Sequence, residues 1–190
     1  MEYFGHVISS ARVSTDPKKI EVMLNWPRLA NARALRGFLG LTNYYRRFVR
    51  NYGMISKPLT KLLKKDGFRW DDKAKAAFVQ LKQAMGEVLV LGLPNFNKPF
   101  VLETDASGIA VGVVLTQDDR PLAFFSQALA PRHQGLSTYD KELLAVLMVV
   151  DKWRHYLEGG QFVIETDHEN LKFLLQQRLH TNLQRKGMPN

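Results

Sequence analysis

Two six-residue stretches, Phe100-Val101-Leu102-Glu103-Thr104-Asp105 and Phe162-Val163-Ile164-Glu165-Thr166-Asp167, differ only by Leu for Ile. Each is a short apolar, β-branched-rich run that ends in a carboxylate. A buried strand that delivers an acid to its C-terminal edge reads this way. Between them, residues 137–158 form one long helical pattern with Glu142 near its start. At about 100° per residue, the side chains within about 60° of Glu142 are Ala145, Val146, Val149, Trp153, Tyr156 and Leu157. Asp140, Asp151, Arg154, His155 and Glu158 fall on the far side. A carboxylate in the middle of an apolar stripe needs a cation, a partner or a raised pKa. An ion pair with a Lys or Arg from elsewhere is the plain alternative, and the two acid-tipped strands shift the balance towards a metal. The chain has no Cys, and oxygen-only ligands favour a hard ion, Mg²⁺ or Mn²⁺, over zinc. Two such ions between carboxylates activate water and stabilise the leaving oxygen in phosphodiester cleavage.

Positioning Asp105, Glu142 and Asp167 together requires the two repeats to pair in parallel across the helix, about 4.8 Å apart. Glu103 and Glu165 would then share the face of their neighbouring Asp but lie about 7 Å deeper, where salt-bridging is the expected role. Residues 108–117 read as a glycine-punctuated strand, Asp118-Asp119 as a tight turn, and residues 121–127 as the returning strand. The order β-β-β-α-β gives an α/β layered domain with a right-handed crossover. Ser137 is the expected N-cap of the long helix, with Asp140 completing a capping-box-like start.

Ahead of this lies a turn-rich boundary at residues 93–99 and a mostly helical segment. Asp16-Pro17 starts a helix that Trp26-Pro27 stops, Asn31 caps the next, and residues 58–65 read as a short helix. Asp71 caps another helix, to about residue 87. Residues 3–9 have strand composition and begin abruptly, as if their pairing strand lay upstream of Met1, so a fragment of a longer protein is expected. The chain has 190 residues, 45% of them apolar, and a net charge of +9. No apolar run approaches the ~20 residues that span a bilayer, so no membrane partner is expected. Residues 1–99 carry 18 Lys+Arg against 7 Asp+Glu and residues 100–190 carry 9 against 11, so the basic half suits polyanions. Arg33, Arg36, Arg46, Arg47 and Arg50 interleaved with Tyr44, Tyr45 and Phe48 suit a nucleic-acid backbone and its sugars. Aromatics in the core with arginines as a solvated rim are the competing reading. Ser107 and Gly108 are expected to shape the turn after Asp105 and to approach phosphate or sugar.

Thr104-Asp105-Ala106-Ser107, Ser137-Thr138-Tyr139-Asp140-Lys141-Glu142-Leu143-Leu144-Ala145 and Thr166-Asp167-His168 resemble the ribonuclease H domain of gypsy-type LTR-retrotransposon Pol polyproteins. Tyr3-Phe4-Gly5-His6-Val7-Ile8-Ser9 resembles the primer-grip strand of their reverse transcriptases, and residues 35–48 resemble the thumb helix. Residues 176–180 look most like plant elements. The resemblance implies a palm-end strand over 1–15, a thumb-like helical segment over 16–66, a connection helix and linker over 67–99, and an incomplete ribonuclease H-like domain, β-β-β-α-β-α, over 100–190. It assigns the catalytic and metal-binding acids to Asp105, Glu142 and Asp167, with two Mg²⁺ (or Mn²⁺) ions in the complete domain. It places nucleic-acid contacts at Tyr3, Phe4, Gly5, His6, Arg36, Tyr44, Arg46, Arg47, Arg50 and Ser107. The implied reaction is endonucleolytic hydrolysis of the RNA strand of RNA–DNA hybrids, where the 2′-hydroxyl marks the RNA.

The implied partners are RNA–DNA hybrid, DNA and the rest of the polyprotein: fingers and palm upstream, the remaining ribonuclease H and integrase downstream. The implied location is intracellular, in a cytoplasmic particle or the nucleus. The polymerase aspartates of the family have no counterpart in the chain, and its fourth acid is expected beyond residue 190. A catalytically silent nucleic-acid-binding remnant, or a co-opted retroelement protein, is the second reading.

Overall fold

Side-chain caps start three of the four α-helices described in the N-terminal segment. The computed structural model describes residues 2–3, 6–9, 12–27, 29–64, 67–87 and 90–166. The Asp16 carboxylate accepts from the Lys18 amide at 2.9 Å and opens α1 (Pro17–Leu24), with Pro17 in the first turn where its missing N–H costs nothing. Asn31 accepts from the Ala34 amide at 2.9 Å and opens α2 (Ala32–Tyr44). A 3-10 turn, Arg46–Phe48, follows. Asn51, in the left-handed region at φ 58°, then turns the chain into α3 (Tyr52–Lys61). The short helix expected over 58–65 therefore begins six residues earlier. Pro58 lies inside it, where one N–H bond is forfeited, and burial of Tyr52, Ser56 and Leu59 holds the helix in place. Asp71 accepts from the Ala74 amide at 2.7 Å and opens α4 (Asp72–Gly86), which packs on α1 and α3.

The single strand expected over 3–9 is replaced by two, β1 (Glu2–Tyr3) and β2 (His6–Ile8), and a further strand, β3 (Arg12–Thr15), follows. With β4 (Leu91–Gly92) they form an antiparallel sheet in the order β1-β2-β3-β4. β2 pairs with β1 on one side and β3 on the other. These elements belong to one compact unit, Met1–Leu93. Its core includes Met23, Leu35, Phe38, Leu59, Leu81 and Met85, none of them exposed. Phe38 lies 4.9 Å from Phe78 and 5.6 Å from Trp26, both edge-on. Burial of each such side chain stabilises by roughly 1.5–3 kcal/mol.

The second unit, Pro94–Asn190, carries β5 (Phe100–Ala106), β6 (Ala110–Gln117), β7 (Arg120–Ala128), the short α5 (Pro131–Gln134), α6 (Thr138–Lys152), α7 (Arg154–Leu157) and β8 (Phe162–Thr166). The sheet order is β7-β6-β5-β8, with β5 and β8 parallel across the helical crossover. Asp118 and Asp119 take φ of 51° and 58° between β6 and β7, as a tight two-residue hairpin requires. The buried Gln117 fastens the segment leading into β5. Its Nε2 donates to the carbonyls of Asn95, Lys98 and Pro99 at 2.9, 3.1 and 3.3 Å, and its Oε1 accepts from the Asn95 amide at 2.8 Å. Ser137 caps α6, accepting from the Asp140 amide and donating to its carboxylate.

The helix expected over 137–158 breaks at Trp153 (φ −104°, ψ 20°), giving α6 and α7. The break leaves both Trp153 and Leu157 in the core, with Ala145 and Val149, over Phe100, Leu102, Val113, Leu115 and Phe125 of the sheet. The helix expected at 171–175 lies outside the described residues. Among the described helices none is long and apolar enough to cross a membrane.

Candidate active site

Glu142 occupies the buried face of α6, 4% exposed, one turn from the Ser137 cap. The Thr166 hydroxyl, at the end of β8, donates to its Oε2. Among the described residues, no Lys or Arg forms an ion pair with Glu142; the ion pairs present are Lys75–Asp72, Lys98–Asp118 and Arg154–Asp151. Glu142 therefore carries a carboxylate into an apolar layer with a hydroxyl as its hydrogen-bond donor.

Register fixes where the other acids stand. Phe100 pairs with Phe162, Leu102 with Ile164, Glu103 with Glu165 and Thr104 with Thr166, so the two repeats lie side by side, position for position. The Thr104 hydroxyl donates to the Glu165 carbonyl at 3.3 Å, tying the strand ends together. Asp105 follows Thr104 and is exposed, on the opposite side of the pleat from Phe100, Leu102 and Thr104. Its Cα lies about 6 Å from that of Thr166, from the strand spacing and the rise of one residue. Opposite it on β6 is Gly112, which brings no side chain alongside the acid. Asp167 and His168 lie outside the described residues. Glu103 and Glu165 are both exposed, and the salt bridges expected of them are absent among the described residues.

Among the described residues no three of His, Asp and Glu gather closely enough to hold a metal. The donor set nevertheless fits a hard divalent ion. It is made of carboxylates and hydroxyls, and its buried member, Glu142, has no basic partner among the described residues. The Ser107 hydroxyl is committed to the β5–β6 turn. It donates to the Ala110 carbonyl and accepts from the Ala110 amide, each at 3.1 Å.

The residues expected to meet nucleic acid fall into two kinds. Tyr45 and Phe48 are core, each 1% exposed, whereas Tyr44, Arg36 and Arg50 are exposed. His6 stacks on Tyr44 at 5.3 Å and lies 5.7 Å from Tyr45 and 5.4 Å from Phe48. Burial, and then the Arg47 guanidinium, hold the His6 imidazole below its usual pKa. The Arg47 guanidinium lies 5.0 Å from the centre of the Phe48 ring, and that of Arg46 lies 6.0 Å from the centre of the Tyr52 ring. These half-buried arginines thus place their guanidiniums over aromatic rings of the core. Tyr3 lies in β1, and Phe4 and Gly5 lie outside the described residues.

A family model described as the RNase H-like domain found in reverse transcriptase matches residues 70–164. The chain belongs to that family. It corresponds to the reverse transcriptase and RNase H region of retrotransposon Pol polyproteins. It is 39% identical over 174 residues to the Pol polyprotein of transposon 297 of Drosophila melanogaster, covering 90% of this chain and 16% of that protein. With the gypsy Pol polyprotein of the same fly it shares 32% over 192 residues, 94% of this chain and 19% of that protein. With the Tf2-3 transposon polyprotein of Schizosaccharomyces pombe it shares 37% over 179 residues, 90% of this chain and 13% of that protein. The chain thus spans under a fifth of these curated relatives. In fold it matches a foamy viral protease-reverse transcriptase solved with an RNA/DNA hybrid, with a TM-score of 0.83 at 16% identity, covering 98% of this chain and 27% of that one. The same viral protein with double-stranded DNA gives 0.83 at 18% identity, covering 94% and 39%.

The RNase H-like sheet also holds two residues that sequence reasoning passed over. Thr104 and Thr166 each precede an acid in the repeats, and only the strand register and the placement of α6 give their hydroxyls a role. The repeated Thr-Asp pair is the signal that pointed to them.

Proposed function

We propose that residues 100–190 belong to a domain that hydrolyses the RNA strand of an RNA–DNA hybrid within a retrotransposon Pol polyprotein, with Asp105, Glu142 and Asp167 among the ligands of the two Mg²⁺ or Mn²⁺ ions of the complete domain. The observation that carries this reading is Glu142, a buried carboxylate bonded to Thr166 at the end of the second acid-tipped repeat. Bound divalent ions would supply an activated water and stabilise the leaving oxygen of the phosphodiester. The chain's own part is positional. α6 holds Glu142 in apolar surroundings that exclude water, and the paired strands present Asp105 at the sheet's end. The 2′-hydroxyl of the RNA strand offers the donor and acceptor that separate it from DNA. The basic N-terminal half, with its thumb-like segment over 16–66, serves as the platform for the duplex backbone, and the rest of the polyprotein is its further partner.

The test is a hybrid labelled on either strand and incubated with the 190-residue chain. The RNA strand is cut in Mg²⁺ or Mn²⁺ and spared in EDTA, the DNA strand is spared throughout, and Asp105→Asn abolishes cutting. Cutting that persists in Asp105→Asn, or no cutting in either ion, contradicts the reading.

A further inference from the structure

Thr166 stands where a metal ligand's support would stand. Its hydroxyl donates to Oε2 of Glu142, the buried carboxylate on α6. Among the described residues no other side chain donates to that carboxylate. A lone hydroxyl is an apt support for such a group. It offsets part of the desolvation of the charge while adding no charge of its own, so the carboxylate keeps its attraction for a cation, which a Lys or Arg partner would neutralise. The second threonine steadies the first. Thr104 lies in register with Thr166, and its hydroxyl donates at 3.3 Å to the carbonyl of Glu165, the residue just before Thr166. The backbone that carries Thr166 is therefore tied to the strand that carries Asp105. Helix α6 is fixed independently, by its Ser137 cap and by Ala145 and Val149 in the core.

We propose that Thr166 is a positioning residue: its hydroxyl holds one oxygen of Glu142 so that the carboxylate meets a divalent ion in a fixed orientation, and Thr104 supports it through the backbone of residue 165. The assignment rests on the divalent-ion reading of Asp105, Glu142 and Asp167. Residues that orient metal ligands typically contribute about 10–100-fold to metal affinity, which sets the effect to be measured. Val is close to Thr in shape but lacks the hydroxyl, whereas Ser keeps the hydroxyl and loses a methyl.

The experiment is a calorimetric titration of the 190-residue chain with Mn²⁺ and with Mg²⁺ alone, for wild type, Thr166→Val, Thr166→Ser and Asp105→Asn. Melting in EDTA checks that each variant is folded. Wild type binds, Asp105→Asn loses binding, Thr166→Val binds about 10–100-fold more weakly, and Thr166→Ser regains wild-type affinity. If wild type binds and Thr166→Val binds equally well, the positioning role is overturned while the metal site stands. Thr166→Ser as weak as Thr166→Val also overturns it, because packing of the methyl would then be the cause. If wild type itself takes up neither ion, the metal reading falls and the positioning role falls with it. Should Thr166→Val fail to fold, Thr166→Ser against Thr166→Ala carries the same comparison.

Discussion

Thr166 and Glu142 meet across the helix–sheet boundary of the second unit, the threonine hydroxyl donating to a carboxylate that is 4% exposed. The hydrogen bond joins the end of β8 to the first turns of α6, so the acid on the helix is referenced to the strand that leads into Asp167. In the absence of metal, the carboxylate bears most of its desolvation uncompensated. Glu142→Gln should therefore raise the melting temperature in EDTA. Wild type should be stabilised by divalent ion, by about 2.7 kcal/mol at a hundredfold excess over Kd, and Glu142→Gln should lose that response. Thermal melts with and without Mn²⁺ decide it, and an intact metal response in the variant would make Glu142 a structural acid.

Gln117 offers a prediction about the frame instead of the chemistry. Its carboxamide satisfies three carbonyls and one amide in residues 95–99. Gln117→Leu removes these part-buried hydrogen bonds, leaving the Lys98 and Pro99 carbonyls and the Asn95 amide without this partner, and should destabilise by about 1–3 kcal/mol. Urea denaturation measures this, and a loss below experimental error would mean that water replaces the side chain without penalty.

Binding by the basic unit should depend steeply on salt, because phosphate contacts release counterions. Arg46→Ala with Arg47→Ala should weaken hybrid binding and lower the slope of log K against log salt by about 1 for each phosphate left without its arginine. The two guanidiniums also lie over Tyr52 and Phe48, so a melt of the double variant separates weaker binding from weaker packing. An unchanged slope in a folded double variant removes this pair from the nucleic-acid surface.

His6 gives the first unit a pH dependence with a definite sign. Burial and Arg47 lower its pKa in the folded chain, so between the folded value and the unfolded value of about 6.5 the unfolded chain binds more protons. The stability this group contributes is present above that unfolded value and is lost as pH falls through the folded one. His6→Phe, which keeps a ring against Tyr44, Tyr45 and Phe48, should flatten the fall in stability between pH 7 and 5 (about two units spanning the unfolded value). Denaturation at several pH values checks it, and an identical pH profile in the variant would discount His6 as the source.

Features of the fold that depend on local chemistry were legible in the sequence. Asp16, Asn31, Asp71 and Ser137 each cap the helix that follows them, as their residue types predict, because a cap's partners lie two or three residues away. The repeated strands pair in parallel as expected, but the burial expected of both holds only for β5, since Phe162, Val163 and Ile164 of β8 are exposed. Features set at long range were not legible. Leu91–Gly92 is a strand only because β3 lies beside it, and two residues carry no period to read. Asn51 starts α3 from a left-handed backbone, a start that the proline seven residues on obscures. At the site, the helical wheel places Glu142 on the apolar face, but its meeting with Thr166 depends on how far α6 slides along the sheet. No local pattern encodes that distance.

The central claim is that Asp105, Glu142 and Asp167 hold divalent ions together, and Mn²⁺ relaxation of assigned amide signals tests it most directly. Paramagnetic broadening should centre on residues 104–106, 141–143 and 166–168 and vanish in Asp105→Asn. Broadening centred elsewhere, or spread over the exposed acids and unaffected by Asp105→Asn, would contradict the account.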